Sequence, residues 1–188
     1  MDFSNALINW YLQNKRELPW RNTKNPYHIW LSEIILQQTR VAQGLPYYNK
    51  FIEAFPNVTD LSNATEIEVL KLWQGLGYYS RARNLHATAK FISVELGGFF
   101  PTKYIELLKL KGVGEYTAAA IASFAYDEDV AVVDGNVFRV LSRYYGLEDD
   151  ISQPKTKKQF QSLANSILPQ GKAAIFNQAI MEFGAIQC

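Results

Sequence analysis

A glycine pair that brackets one apolar residue, Gly112-Val113-Gly114, is the feature that most constrains the fold. Glycine has no Cβ, so the backbone here can adopt positive φ and present N–H groups that no side chain covers. Thr117 and a run of alanines follow, and they predict a helix whose N-terminus adds a positive dipole end to the hairpin. This pattern favours a site that holds a phosphate. A tight turn between helices without a ligand fits the same glycines.

An aspartate directly before the next helix is the first candidate for chemistry. A short apolar run ends at Val133, Asp134 and Gly135 interrupt it, and Asn136 opens a helix that ends at Gly146. Asp134 is therefore predicted to be a helix N-cap. This role does not exclude chemistry, because a carboxylate facing a helix N-terminus is expected to be ionised, as a reaction that develops positive charge on a sugar requires.

Composition and periodicity bound the fold class and the location. The chain has 188 residues, 48% of them hydrophobic, which is enough for a buried core. Helical spacing recurs throughout and no strand or repeat is convincing, so an all-α fold of about ten short helices is predicted. No apolar run is long enough to cross a bilayer and the start lacks signal-peptide features, so we expect a cytoplasmic protein with no membrane partner.

Net charge is a weak guide to the partner. The formal charge of +1 argues, taken alone, against a surface that binds duplex DNA. The basic residues are nonetheless grouped, with Arg81 and Arg83 beside a tyrosine pair and Arg139 and Arg143 after Asp134. One face of the protein is therefore expected to be positive.

A second carboxyl group, Glu33, lies on a helix predicted to run from Pro26 to about Val41. This helix carries a stripe at spacings of three or four residues: Trp30, Glu33, Gln37 and Arg40. A glutamate on a helix is most often solvated. Apolar neighbours on both sides of Glu33 instead predict partial burial, which raises the pKa of a carboxyl group.

Two aromatic and basic groupings complete the candidates. Trp20 and Arg21 follow a first amphipathic helix that Pro19 is expected to end, and they fit either a packed aromatic with a surface charge or a functional pair. Tyr78 with Arg81 fits either core packing with a rim charge or a stacking group beside a phosphate contact.

Several separated motifs, in order, carry a family resemblance. They are LPWR (18–21), PYHIWLSEIILQQTRV (26–41), GLGYYSRARNLH (75–86), LKGVGEYTAAAIAS (110–123) and VVDGNVFRVLSR (132–143). Over nearly its whole length the chain resembles the endonuclease III superfamily of helix-hairpin-helix DNA glycosylases, and specifically the MutY branch of adenine glycosylases. The resemblance implies two discontinuous domains: a six-helix barrel over residues 26–128 that contains the hairpin near 110–117, and a second helical domain made of residues 1–25 and 129–188. It places Glu33 and Asp134 on opposite walls of the cleft between them.

The same resemblance implies a reaction and its residues. Glu33 is expected to protonate adenine at N7, and Asp134 to stabilise the sugar cation or attack it transiently. Tyr116 stands where strand-nicking relatives carry a lysine that forms a Schiff base, which implies a monofunctional glycosylase in which Tyr116 and Asn136 support Asp134. The implied DNA contacts are Gln37, Gln38, Tyr78, Arg81, Gly112, Val113, Gly114 and Thr117, with Trp20 and Arg21 near the extruded adenine. Gln37, Gln38 and Tyr78 match the positions at which family members wedge a side chain into the duplex, and we favour Gln38 as the wedge.

The implied partner is double-stranded DNA with adenine opposite 8-oxoguanine or guanine, bound by a monomer at the nucleoid of a bacterial cytoplasm. Family members continue past the position of Cys188 to three more cysteines that hold a [4Fe–4S] cluster, and then to a domain that recognises 8-oxoguanine. One thiolate cannot hold such a cluster, so this chain is expected to be a catalytic fragment without it. Two other functions stay open: a related glycosylase for mismatched thymine, which Glu33 with Gln37-Gln38 disfavours, and an inactive DNA-binding helical module.

Overall fold

The computed structural model describes residues 2–188, and these residues form helices and connecting turns without a strand. The eleven α-helices are α1 (Phe3–Asn14), α2 (Pro26–Leu36), α3 (Val41–Ala54), α4 (Val58–Asn63), α5 (Glu66–Trp73), α6 (Ser80–Glu95), α7 (Tyr104–Leu107), α8 (Glu115–Tyr126), α9 (Gly135–Tyr145), α10 (Pro154–Ile167) and α11 (Ala173–Ile186). One 3-10 turn covers Pro19–Arg21. The predicted all-α class is confirmed. No helix among the described residues is both long and apolar enough to span a bilayer.

The chain divides into two compact units. The terminal unit consists of Met1–Leu18 and Ala122–Cys188, and the middle unit of Pro19–Ile121. Both ends of the chain therefore contribute to the same unit, which requires the middle unit to be inserted between them in sequence. The boundary falls inside α8, the helix that follows the glycine hairpin.

The middle unit is built around large aromatic side chains on α2, α3 and α5. Trp30, Phe51 and Trp73 are fully buried, and the Phe51 and Trp73 rings meet edge to face with centroids 5.8 Å apart. The side chain of Asn25 caps α2 by accepting a hydrogen bond from the Tyr27 N–H at 2.9 Å. These contacts fix the helix that carries Glu33 inside the unit.

The terminal unit packs α1 and α9 against α11. Glu182 on α11 is buried and accepts hydrogen bonds from the Arg16 backbone N–H and guanidinium at 2.9, 2.8 and 2.6 Å. The bond to Glu182 raises the pKa of the Arg16 guanidinium, so the pair stays charged. The backbone becomes extended at Lys15, directly before Arg16. Helix α1 therefore ends at Asn14, whereas the sequence predicted that Pro19 would end it.

His86 on α6 gives the middle unit a pH dependence. Its side chain is 3% exposed, and its Nε2–H donates to the carbonyl of Ala64, at the end of α4, at 2.9 Å. Burial, assisted by the positive charge of Lys90, lowers the pKa of this imidazole below its usual 6.5. The folded state therefore holds the ring neutral, while the unfolded state binds a proton as the pH falls through the usual value.

We expect the free energy of unfolding to fall as the pH drops from about 7.5 to about 5.5, because the unfolded state then binds more protons at His86. His86→Gln should flatten this dependence. The measurement is urea denaturation across the pH series. His28→Gln, which changes the only other histidine of the sequence, is the matched control. An unchanged slope in His86→Gln would contradict the assignment.

Candidate active site

The Asp134 carboxylate is fixed at the N-terminus of α9 by three N–H donors. Its Oδ1 accepts hydrogen bonds from the Asn136 N–H at 3.0 Å and the Val137 N–H at 2.9 Å, and its Oδ2 accepts one from the Asn136 side-chain amide at 2.8 Å. The residue is half-buried and adopts an extended backbone. The predicted N-cap is therefore confirmed, and both carboxylate oxygens are held in place.

A second layer of contacts orients Asn136. The Arg139 guanidinium donates to the Asn136 Oδ1 at 3.2 Å and to the Gly184 carbonyl on α11 at 2.7 Å. Because Arg139 can only donate, the amide must turn its oxygen toward Arg139 and its NH₂ toward Asp134. In the sequence, Arg139 was only one of a group of basic residues. Its spacing of three from Asn136, one helical turn, is the signal for this contact.

The chain leading into Asp134 is held by one buried amide. Asn177 on α11 is fully buried, and its Oδ1 accepts from the Val132 N–H at 3.1 Å. Its Nδ2 donates to the Ser123 Oγ at 3.0 Å and to the Val130 carbonyl at 2.8 Å. The extended run before Asp134 thus obtains part of its hydrogen bonds from a side chain 45 residues later in the sequence, while the Ala131 N–H donates to Asn165 and its carbonyl accepts from Gln161. Sequence reasoning missed Asn177, because nothing local distinguishes it.

Glu33 is 8% exposed and lies on α2, between residues that are themselves buried. Its predicted partial burial is confirmed. The predicted continuation of α2 to about Val41 is wrong, because α2 ends at Leu36 and α3 begins at Val41. Gln37 and Arg40 therefore lie outside the helix, and the predicted stripe does not continue past Glu33.

The turn after α2 and the turn before α6 each carry a residue in the left-handed backbone region. Gln38 has a φ of +54° and Tyr78 a φ of +46°, which non-glycine residues seldom adopt. Gln38 is exposed and Gln37 is half-buried, while the Tyr78 side chain is 68% exposed. The middle unit thus presents two of the predicted wedge residues, Gln38 and Tyr78, on turns with left-handed backbone conformation.

Arg81 connects these two turns. Its Nη1 donates to the carbonyls of Ile34, Ile35 and Gln37 at 3.1, 3.1 and 2.5 Å. Its Nη2 donates to the carbonyls of Leu76 and Gly77 at 3.2 and 3.4 Å. Burial lowers the pKa of this guanidinium from its usual value. The guanidinium is directed at these five backbone carbonyls, and the phosphate contact expected of Arg81 stays a prediction.

The two glycines of the hairpin differ in backbone conformation. Gly112 has a φ of +77°, and a Cβ there would lie 2.9 Å from the Asn84 Cβ. Gly114 does not have positive φ, which corrects the expectation for it. Its carbonyl instead accepts from the Ala118 N–H at 2.8 Å and so begins α8. The Val113 N–H donates to the Leu110 carbonyl at 3.1 Å, which counts against a phosphate contact through this group.

The remaining candidates lie at defined places. Thr117, in the first turn of α8, is buried and only 2% exposed. Tyr116 precedes it and is half-buried. Trp20 is buried, with its ring edge to face against Tyr48 at 5.1 Å, and Arg21 beside it is half-buried. Trp20 therefore has the packed-aromatic contact.

The residues present do not fit an iron–sulfur cluster. Such a cluster takes four cysteine ligands, and Cys188 is the only cysteine of the chain. It is half-buried, and its carbonyl accepts from the Arg143 guanidinium at 2.5 Å. Within residues 2–188, no group of three or more histidine, cysteine or acidic side chains is arranged to hold a metal ion.

Comparison with known proteins follows these observations. The family described as "HhH-GPD superfamily base excision DNA repair protein" matches residues 31–166. An adenine DNA glycosylase of Buchnera aphidicola subsp. Baizongia pistaciae (strain Bp) is 44% identical over 187 residues, covering 99% of this chain and 53% of that protein. This chain thus spans about half the length of the curated relatives it matches.

Solved structures agree with the sequence comparison. A thermostable thymine-DNA glycosylase superposes with a TM-score of 0.88 at 31% identity, covering 98% of this chain and 85% of that one. An endonuclease III in a non-covalent DNA complex gives a TM-score of 0.79 over 97% of this chain and 84% of that one. Its 20% identity supports the fold alone. The predicted endonuclease III-like fold and the resemblance to adenine glycosylases are confirmed.

The close approach of α11 to α9 supplies a test of the Asp134 support. A Cβ on Gly184 would lie 2.6 Å from the Asn136 carbonyl oxygen. We expect Gly184→Ala to destabilise the fold by about 1–3 kcal/mol, because the backbone that follows Asp134 must move. Chemical denaturation measures this loss. Gly135→Ala is the matched control, since beyond its chain neighbours and the backbone of its own helix no described atom lies within 4 Å of a Cβ there. Equal stability of the two variants would contradict the tight packing.

Proposed function

The chain belongs to the HhH-GPD superfamily of base excision DNA repair proteins, and from this premise we propose that it hydrolyses the N-glycosidic bond of adenine mispaired with 8-oxoguanine or guanine in duplex DNA. The similarity of the whole chain to adenine DNA glycosylases supports the choice of base. The observation that carries the proposal is the Asp134 carboxylate, which three N–H donors hold rigidly at the start of α9.

Adenine leaves poorly as an anion, so the reaction needs a proton on the base and negative charge near the sugar. In the proposed mechanism Glu33 transfers its proton to adenine N7. The bond between C1′ and N9 then breaks, and its electron pair goes to the protonated base. Burial of Glu33 supports this role, because an apolar setting favours the protonated form that a general acid requires.

Asp134 is proposed to stabilise the oxocarbenium ion that forms on the sugar, or to attack it transiently, until water adds to C1′. A carboxylate held by fixed donors need not reorganise when the cation develops, which is the basis of electrostatic preorganisation. Asn136 is proposed to keep the carboxylate in this orientation, and the Arg139 contact that turns its amide supports the role. Tyr116 is proposed as a further support of Asp134.

The target base must leave the duplex first, which costs a few kcal/mol of unstacking. We propose that Gln38 and Tyr78 fill the space that it leaves, and their exposure on left-handed turns supports this role. Gln37 is the remaining wedge candidate. The hairpin is proposed to hold the DNA backbone through main-chain N–H groups at Gly112, Gly114 and the start of α8, near Thr117. Trp20 and Arg21 are proposed to lie near the extruded adenine.

A second candidate function is removal of mismatched thymine. The observation that favours it is the likeness to the thymine-DNA glycosylase, which exceeds 30% identity over nearly the whole chain. The two functions differ in the base that must be protonated, and the general acid Glu33 favours adenine. Activity on thymine opposite guanine is therefore the discriminating assay.

We expect Glu33→Gln and Asp134→Asn each to lower base excision by about 10²- to 10⁴-fold while leaving duplex binding largely intact, because neither carboxylate is proposed as a phosphate contact. Single-turnover excision is measured on duplexes with A opposite 8-oxoguanine, A opposite G and T opposite G. Glu53→Gln and Asp149→Asn, which change exposed carboxylates, are the matched controls. Wild-type turnover by either site variant would overturn the residue assignment, and excision of thymine alone would favour the second candidate.

Tyr116 separates a glycosylase from a strand-nicking enzyme by one side chain. We expect the wild-type chain to leave an abasic site without a strand break, and Tyr116→Lys to gain partial lyase activity that rises with pH, because the amine must lose its proton to attack C1′. Borohydride trapping of a covalent protein–DNA adduct across a pH series measures this gain. Tyr79→Lys, which places an amine on the exposed tyrosine next to the proposed wedge residue Tyr78, is the control. If wild type is trapped as efficiently as Tyr116→Lys, the monofunctional assignment fails.

A further inference from the structure

Arg81 binds two separate segments of the middle unit at once. Three of its acceptors are Ile34, Ile35 and Gln37, where α2 ends, and two are Leu76 and Gly77, in the turn before α6. A cation is favoured at the carbonyl end of a helix, where the last carbonyls lack partners within the helix. The guanidinium therefore terminates α2 and fastens a loop about 40 residues further along the chain to the same point.

Each of the two fastened segments carries one non-glycine residue in the left-handed backbone region. Gln38 follows Gln37 directly, and Tyr78 follows Gly77 directly, so each lies one residue beyond a carbonyl that Arg81 binds. The guanidinium also lies 5.8 Å from the centre of the Tyr78 ring. A non-glycine residue keeps such a backbone conformation only where the surrounding structure enforces it. Here the hydrogen bonds of Arg81 supply that enforcement.

The turn before α6 is also held from its other side. The Trp73 indole N–H donates to the Gly77 carbonyl at 2.9 Å, and the guanidinium of Arg81 lies 5.1 Å from the centre of the Trp73 ring. Trp73 is fully buried, so this part of the clamp is anchored in the core of the unit. The exposed Tyr78 ring is thereby carried on a rigid base.

We propose that Arg81 is a positioning residue for base extrusion, which holds Gln38 and Tyr78 in the backbone conformation in which their side chains enter the duplex. Arg81 itself makes no phosphate contact. This inference rests on the proposed glycosylase function. A preformed wedge does not have to be ordered when DNA binds, so the binding energy can be used to unstack the target base. Loss of the clamp should slow extrusion and leave the chemistry of the extruded base unchanged.

The test compares Arg81→Lys with Arg83→Lys in the full chain. Lysine keeps the charge, but its single ammonium group cannot bridge both segments as the planar guanidinium does. Arg83 lies two residues after Arg81 on α6, and on the surface its guanidinium pairs with Glu66 at 3.3 Å. Arg83→Lys therefore controls for the loss of an arginine near the DNA. Extrusion is followed by the fluorescence of 2-aminopurine placed at the target position, and excision by single-turnover assay.

We expect Arg81→Lys to slow both extrusion and excision of adenine opposite guanine by about tenfold to a hundredfold, as misplaced positioning groups do. The excision defect should shrink on an unpaired, bulged adenine, which costs less to extrude. The dependence of duplex binding on salt should match wild type, whereas loss of a phosphate contact would lower that slope by about one. Arg83→Lys should behave as wild type in the extrusion assay.

Each contrary result has a defined meaning. An equal excision defect on paired and bulged adenine, or a reduced salt slope, would overturn the positioning role. Wild-type extrusion by Arg81→Lys would do the same. If Arg81→Lys does not fold, Arg81→Gln replaces it, and failure of both while Arg83→Lys folds would assign the clamp to stability instead and reject the proposal. Absence of extrusion and excision with wild type would count against the proposed function itself.

Discussion

Unpaired backbone groups at helix ends are the constraint on which the rest of this structure depends. The eleven α-helices of residues 2–188 create many termini, and each terminus leaves N–H or carbonyl groups that need partners from outside the helix. Some partners are local, such as the capping box of Thr65 and Glu68 at α5. Others come from distant segments, as when Arg81 binds the last carbonyls of α2. The residues proposed for function lie mainly at these ends, where the backbone is already directed at a partner.

This constraint explains which parts of the molecule were predictable from sequence. Local terminators were read correctly: Asp134 caps α9, and Gly146, in the left-handed conformation, closes it. The end of α2 was missed because no glycine or proline stands within the seven residues after Leu36 in the sequence. Its terminator is a side chain more than 40 residues away, and no pattern within a window of one helix can reveal it. The same reasoning applies to Asn177. Its side chain accepts from the Val132 N–H and donates to the Val130 carbonyl, in the extended run before Asp134.

The burial of Glu33 was predictable for a related reason. Its neighbours on α2 are mostly apolar, and a helix that is apolar over most of its surface is buried. The sequence therefore places a carboxyl group in a position from which water is largely excluded, and such a position is costly unless the group has a partner or a function. What the sequence does not contain is the partner's identity, since that depends on which elements pack against α2.

The weak net charge becomes easier to understand once the arginines are located. Arg16 pairs with Glu182 inside the terminal unit, and the guanidiniums of Arg81, Arg139 and Arg143 all donate to backbone carbonyls. The basic groups that looked like a DNA-binding face in the sequence are thus used, in good part, to hold helices together. An arginine suits this work because its planar fork has five donors and no acceptor. Because these four guanidiniums face carbonyls or a carboxylate within the chain, the grouping of arginines in the sequence does not by itself mark a basic binding surface.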